Sequence, residues 1–263
     1  MDASFEACAA HVRRADPDRY FSALFAPPDK RPFLFALYAF NHEIARVAES
    51  VREPMLGAIR LEWWRETVEG ASKGAPRDHD VARALAAAFA AHALPLDLFE
   101  ALIAARGFDS SGETFPDFAA LESYVDATSG NLMRLAAWIL GAEIDVRAAG
   151  LAYGLAGLLR AIPFHAARHK LYLPMDLLSA LSLSPEEIFA GQEKEKLAAA
   201  IAQVALRARD HYRKAHKGAK PRGALAAVLP AALVPLYLRR LRYEIPIHRK
   251  QISLLGAAMR GRV

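Results

Sequence analysis

Residues 157–178 read GLLRAIPFHAARHKLYLPMDLL. They form the second half of a long apolar segment that predicts a helix over 144–169. Pro163 interrupts the segment, which then turns basic at His165, Arg168, His169 and Lys170, with no acidic residue before Asp176. Leu151, Leu155, Leu158 and Ile162 recur at helical spacing and predict one buried face. Beside them runs a second line, Gly150, Gly154, Gly157, Ala161, His165 and Arg168. Three glycines in one helical line cost roughly 1 kcal/mol each relative to alanine. Such a cost asks for close approach of a second helix or for room around a ligand. Pro163 removes a backbone donor and crowds the preceding turn, so a kink is expected near 159–163.

A second segment, KRPFLFALYAFNHEIARVAESV (30–51), has a similar double character. Phe33, Leu37, Phe40, Ile44, Val47 and Val51 form a core stripe within a helix expected over 30–52. Tyr38, His42, Ala45 and Glu49 form a half-polar stripe, either solvated or lining a groove.

The rest of the chain fits an all-α bundle. Of 263 residues 54% are hydrophobic, enough for a sizeable core, and 15 prolines fall mostly between periodic segments. Further helices are expected over about 3–15, 54–73, 78–92, 95–106, 116–140, 185–190, 193–217, 223–241 and 247–259, with no persistent β alternation. Cys8 is the only cysteine, which excludes an intrachain disulfide and a cysteine-rich metal site. The amino terminus lacks a basic start and an apolar core of the secretory kind, and no 18-residue apolar run is free of charge. A cytoplasmic location is therefore expected, peripheral on the inner face of a membrane if attached.

The net charge of +5 is local: residues 237–263 hold seven basic residues against Glu244 alone. Leu238, Leu241, Ile245, Ile252, Leu255 and Met259 alternate with these bases, and Pro246 divides the segment. It reads either as packed helices with a solvated basic face or as a contact for anionic lipid or a partner. Its aromatics Tyr237 and Tyr243 come with no reading element for nucleic acid.

Other motifs fail. DSSGE (109–113) lacks the ending of a phosphate loop, and HEIAR (42–46) has Arg46 where a zinc-peptidase motif needs its second histidine. His165 and His169 have a metal-compatible i, i+4 spacing but no evident third ligand.

The fragments ALYAFNHEI (36–44), WWRETVEG (63–70), HDVARAL (79–85), YVDATSGNLMRLAAWILG (124–141) and GLAGLLR to LYLP (154–174) resemble, in this order, the squalene/phytoene synthase family. These are head-to-head prenyl transferases of the isoprenoid synthase fold. The resemblance implies a single helical domain over 1–263 around a central cleft. It also implies two aspartate-rich motifs that hold Mg²⁺ against the diphosphate of a prenyl substrate. Here the motif positions are Ala45, Glu49, Ala161 and His165, so three of the four carboxylates are absent.

Arg31, Arg160, Lys170, Tyr172 and Pro174 match phosphate-facing and scaffold positions. Within the family, LRAIPFH followed by RHK and YLPMD is most similar to the subgroup of the mitochondrial respiratory complex I assembly factor, regarded as lacking synthase activity. The resemblance thus implies no cofactor and no metal, a respiratory-complex partner, and a matrix location if mitochondrial. A lipid or isoprenoid could remain in the cleft. Its anion- or ligand-binding candidates are Arg31, Tyr38, His42, Arg160, His165, Arg168, Lys170 and Tyr172, and Gly150, Gly154 and Gly157 would line it. Two alternatives stay open: an active prenyl transferase using Mg²⁺ or cations alone at an altered diphosphate site, and a carrier of lipid or anion.

Overall fold

The computed structural model describes residues 2–51, 53–218, 221, 223–241 and 244–263. Among them there are helices and no strands. Helix α1 (Ala3–Ala15) begins where Asp2 accepts the Ser4 amide at 3.1 Å, and it buries Cys8 and Val12. Burial pushes the Cys8 thiol up to about 12, which leaves it an inert packing group. After α2 (Pro17–Ala23), helix α3 (Arg31–Ala45) passes through the centre of the molecule.

The expected two-faced helix over 30–52 is not what forms. Every residue from Leu34 to Asn41 is buried, so the middle of α3 is covered all round. Arg46 then interrupts the helix, and α4 (Val47–Ser50) is a separate turn. Glu49 therefore does not share a continuous helix face with Ala45.

Helix α5 (Pro54–Ser72) packs against α6 (Asp80–His92) and α7 (Leu96–Arg106), which both pack against α3, and α8 (Phe108–Ser111) lies against α5 and α7. The single helix expected over 116–140 is α9 (Phe118–Val125) and α10 (Asn131–Ile139) joined by a π-helical turn at Asp126–Gly130. That wide turn packs against α11 (Arg147–Ala166), the helix of the opening stretch, which is shorter at both ends than the expected 144–169. It runs through Pro163 for one more turn before ending.

Helices α12 (Met175–Ala180) and α13 (Pro185–Phe189) follow, the second started by a reciprocal Ser184–Glu187 cap. The long α14 (Lys194–Lys217) lies along α11. Pro230 and Pro235 break the helix expected over 223–241 into α15 (Leu225–Val228), a 3₁₀ turn and α16 (Val234–Arg239). Helix α17 (Ile247–Arg260) closes the bundle. Arg242 and Tyr243 of the basic tail lie outside the described residues. No helix among the described residues is long and apolar enough to cross a membrane.

Candidate cleft between α3, α7 and α11

The glycine line of α11 does two different jobs. A β-carbon on Gly150 would sit 2.7 Å from the Gly130 Cα, and one on Gly154 would sit 2.9 Å from the Ser129 Cβ. Gly150 is thus a close-packing residue against the π turn, which corrects its assignment as cavity lining. Gly154 lines a cavity edge but is equally constrained. Gly157 meets nothing within 4 Å and opens on a cavity of about 250 Å³.

That cavity is walled by Arg19, Asn41, Arg106, Tyr153, Arg160 and Tyr237, among others. Asn41 Oδ1, Arg106 Nε and Ser129 Oγ on its wall are buried without a hydrogen-bond partner among the described residues. Buried polar atoms are normally paired, so this wall suits a polar occupant. Asp18, 5% exposed, gathers hydroxyls beside it. Tyr153 donates to its Oδ2 at 3.1 Å, Tyr237 donates to the same oxygen, and Lys250 reaches Oδ1 at 3.0 Å.

A smaller cavity of about 150 Å³ lies on the other side of Leu158, and it collects the motif positions. Ala45, Glu49 and His165 are on its wall with Arg168, Lys170 and Tyr172. Ala161, half-buried on α11, is not part of that wall. Beneath it lies a residue that motif reasoning missed. Asp109 is 6% exposed and receives Tyr124 Oη at 2.6 Å, Tyr172 Oη at 2.7 Å and Arg106 Nη1 at 3.2 Å. Lys170 donates its ammonium to the Asp109 carbonyl. Burial, and then the Asp109 carboxylate, push the Tyr172 phenol well above its ordinary value, so it remains a donor. His165 goes the other way. Burial, reinforced by Lys170 and Arg168 and opposed by Asp109, lowers it to about 4, so the ring is neutral at pH 7.

The remaining candidates divide. Arg160 stacks on Tyr237 at 3.9 Å from the ring centre and lines the larger cavity. Arg168 is exposed at the mouth, stacked on Phe164 at 3.6 Å. Arg31 does not face either cavity; its Nε is held by the Ala26 carbonyl at 2.8 Å, which ties the start of α3 to the preceding turn. Tyr38 is 2% exposed in the core under Arg19, rather than on a polar stripe. His42 turns away from the cleft, its Nδ1 2.8 Å from His11 Nε2. His165 and His169 do not pair, because α11 ends at Ala166 and His169 takes a left-handed conformation at φ 52°. His165 packs on Tyr172 and His169 on Phe189.

Set against a Mg²⁺–diphosphate site, the wall of the smaller cavity offers one free carboxylate, Glu49, and no paired acids. Mg²⁺ is held by one or two carboxylates together with substrate phosphates, in octahedral oxygen geometry. Around the smaller cavity Asp109 is already committed to three donors, leaving Glu49 opposite a neutral imidazole, a guanidinium and an ammonium.

A helical bundle with a cleft between its third and eleventh helices and three motif positions facing one cavity defines an isoprenoid-synthase type of protein. The squalene/phytoene synthase family model matches residues 12–252, and the chain belongs to that family. It is 29% identical over 243 residues to human NADH dehydrogenase (ubiquinone) complex I, assembly factor 6, covering 90% of this chain and 71% of that one. It is 26% identical to the chloroplastic phytoene synthase 1 of Arabidopsis thaliana, over 91% of this chain and 58% of that one. The squalene synthase structure from Alicyclobacillus acidocaldarius superposes with a TM-score of 0.71 at 20% identity, covering 98% of this chain and 94% of the other.

Proposed function

We propose that this protein is a synthase-fold member without synthase activity that works in the assembly of a respiratory complex, through a protein partner. The observation that carries the reading is the cleft wall. Glu49 is the one carboxylate among the motif positions; Asp109 on the same wall is taken up by Tyr124, Tyr172 and Arg106, and the adjoining groove sets Glu49 and Glu53 beside Arg168 and Lys170. A departing diphosphate would meet Arg168 and Lys170 there without the clustered acids that hold Mg²⁺ in active relatives. Likeness to complex I assembly factors over most of the chain supports the assembly role.

The surface that suits the partner or a membrane is α17. Ile252, Leu255 and Met259 stand 68%, 52% and 81% exposed at helical spacing, beside Arg249 and Arg260. Apolar and basic residues on one helix attract it to an anionic lipid surface or an acidic groove. On this reading the protein is peripheral to the inner face of the membrane, on the matrix side if mitochondrial.

The cavity behind Leu158, at about 250 Å³, is below the roughly 300–1,000 Å³ of ordinary ligand pockets. Its unpartnered polar atoms favour a lipid or isoprenoid held by its head, with the chain outside. Two assays test the proposal. Purified protein with Mg²⁺ and farnesyl or geranylgeranyl diphosphate yields no coupled hydrocarbon, whereas multiple turnover contradicts it. Isolation of the tagged protein from its own cells brings down a respiratory-complex subunit, and recovery without one contradicts the assembly role.

A further inference from the structure

The histidine that HEIAR lacks at Arg46 is supplied from another helix. His11, on α1, points its Nε2 at His42 Nδ1 on the last full turn of α3, 2.8 Å away. Glu43 Oε1 lies 3.6 Å from the same His11 nitrogen, and the three donor atoms are all within 4.8 Å of one another. At 3.6 Å the Glu43 oxygen is too far to be hydrogen-bonded to His11, so proximity leaves that carboxylate unsatisfied by the ring. The two rings meet at 69° with centres 4.8 Å apart.

We propose that His11, His42 and Glu43 form a binding site for a divalent transition-metal ion of the zinc type, which clips α1 to α3. With metal–nitrogen and metal–oxygen bonds of about 2.0–2.2 Å, tetrahedral ligands stand ~3.3 Å apart. The His11–His42 and His11–Glu43 separations of 2.8 and 3.6 Å lie on either side of that value and the third is within 4.8 Å, so the rings open by about half an ångström and the Glu43 carboxylate swings toward His42 to admit the ion. The proton shared between the facing nitrogens moves to the far side of its ring, and both imidazoles stay neutral.

Two nitrogens and one carboxylate favour a borderline ion over Mg²⁺ or Ca²⁺, which prefer oxygen. His11 and Glu43 are 23% and 24% exposed, leaving a path from solvent and room for water as a further ligand. On its far side Glu43 borders a groove of about 390 Å³ with Arg46, Trp63 and His79. The exposed guanidiniums of Arg14 and Arg46 act on His11 and oppose the cation, while the Glu43 carboxylate attracts it, so the affinity is moderate. The site is separate from the cleft and does not depend on the assembly reading.

The test uses the full chain freed of metal with a chelator. Calorimetry with Zn²⁺ shows one saturable equivalent at micromolar concentration, undisturbed by millimolar Mg²⁺, and Co²⁺ gives the visible absorption of a low-coordinate nitrogen–oxygen site. His11→Gln, His42→Gln and Glu43→Gln each weaken binding at least tenfold, and His248→Gln on exposed α17 leaves it unchanged. If a variant fails to fold, the wild-type imidazole spectrum decides: Zn²⁺ shifts His11 and His42 and spares His165 and His211. Absence of saturable binding, equal binding in the variants, or shifts confined to other histidines would each overturn the proposal.

Discussion

The Tyr172 hydroxyl donates to Asp109 Oδ1 at 2.7 Å, so the tyrosine of the YLP strip caps a buried carboxylate instead of a bound anion. Together with Tyr124 and Arg106 it makes a closed polar knot beside Glu49 and His165. Removing members of the knot has graded consequences. Tyr172→Phe loses one hydrogen bond to a charged group and costs about 1.5–3 kcal/mol. Asp109→Ala leaves the Arg106 guanidinium, whose side chain is 17% exposed, without its acid and costs about 3–5 kcal/mol. Urea unfolding of the two variants checks the order; equal midpoints would count against the knot.

Gly150 and Gly157 give opposite results with the same substitution. Gly150→Ala drives a methyl group into the backbone of Gly130 and destabilises by about 1–3 kcal/mol. Gly157→Ala enters open space and stabilises by up to about 1 kcal/mol through helix propensity, while narrowing the larger cavity. Thermal melts of the pair separate close packing from cavity lining.

Position along the chain explains what could and could not be read from sequence. The helical character of α11 and burial of Leu151 and Leu155 are local, periodic features and were legible, whereas Leu158 and Ile162 of the expected stripe are half-buried, Leu158 lines both cavities, and Leu159 is buried in their place. Asp109 was not legible, because its role exists only where the ends of α7 and α9 and the YLP strip converge on the four-residue α8, which overlaps the start of DSSGE. The glycine line looked uniform because spacing reports a shared face and not what that face meets. His42 looked like a cleft residue for the same reason, since its partner His11 lies on another helix. The break at Arg46 has no proline or glycine to announce it, whereas Pro230 and Pro235 could have signalled the broken segment before α17.

His165 makes the fold acid-sensitive. Its folded-state value of about 4 lies below the ordinary histidine value of about 6.5, so the unfolded chain takes up the proton first as pH falls. The neutral ring's contribution is fully present above pH 6.5 and is lost progressively between about 6.5 and 4. The melting temperature of wild type should fall over that interval more steeply than that of His165→Gln. Superimposable pH profiles would show that His165 is not the group involved.

Helix α17 predicts binding to vesicles rich in anionic lipid, weakened by salt, and little binding to neutral vesicles. Leu255→Ser with Met259→Ser removes two of the three exposed apolar residues, leaving Ile252, and reduces flotation with vesicles without changing the fold. Lys250 is not available for this contact, since it pairs with buried Asp18 at 3.0 Å. Its replacement by alanine should lower stability instead, by leaving a buried carboxylate short of its cation.

What the cleft does with magnesium is decided by calorimetric titration of a non-hydrolysable farnesyl diphosphate analogue with and without Mg²⁺. With no paired acids on the wall and Arg168 and Lys170 beside Glu49, any affinity for the analogue is expected to be unchanged or weakened by millimolar Mg²⁺. Tightening of tenfold or more on adding Mg²⁺, abolished by Glu49→Gln, would contradict it.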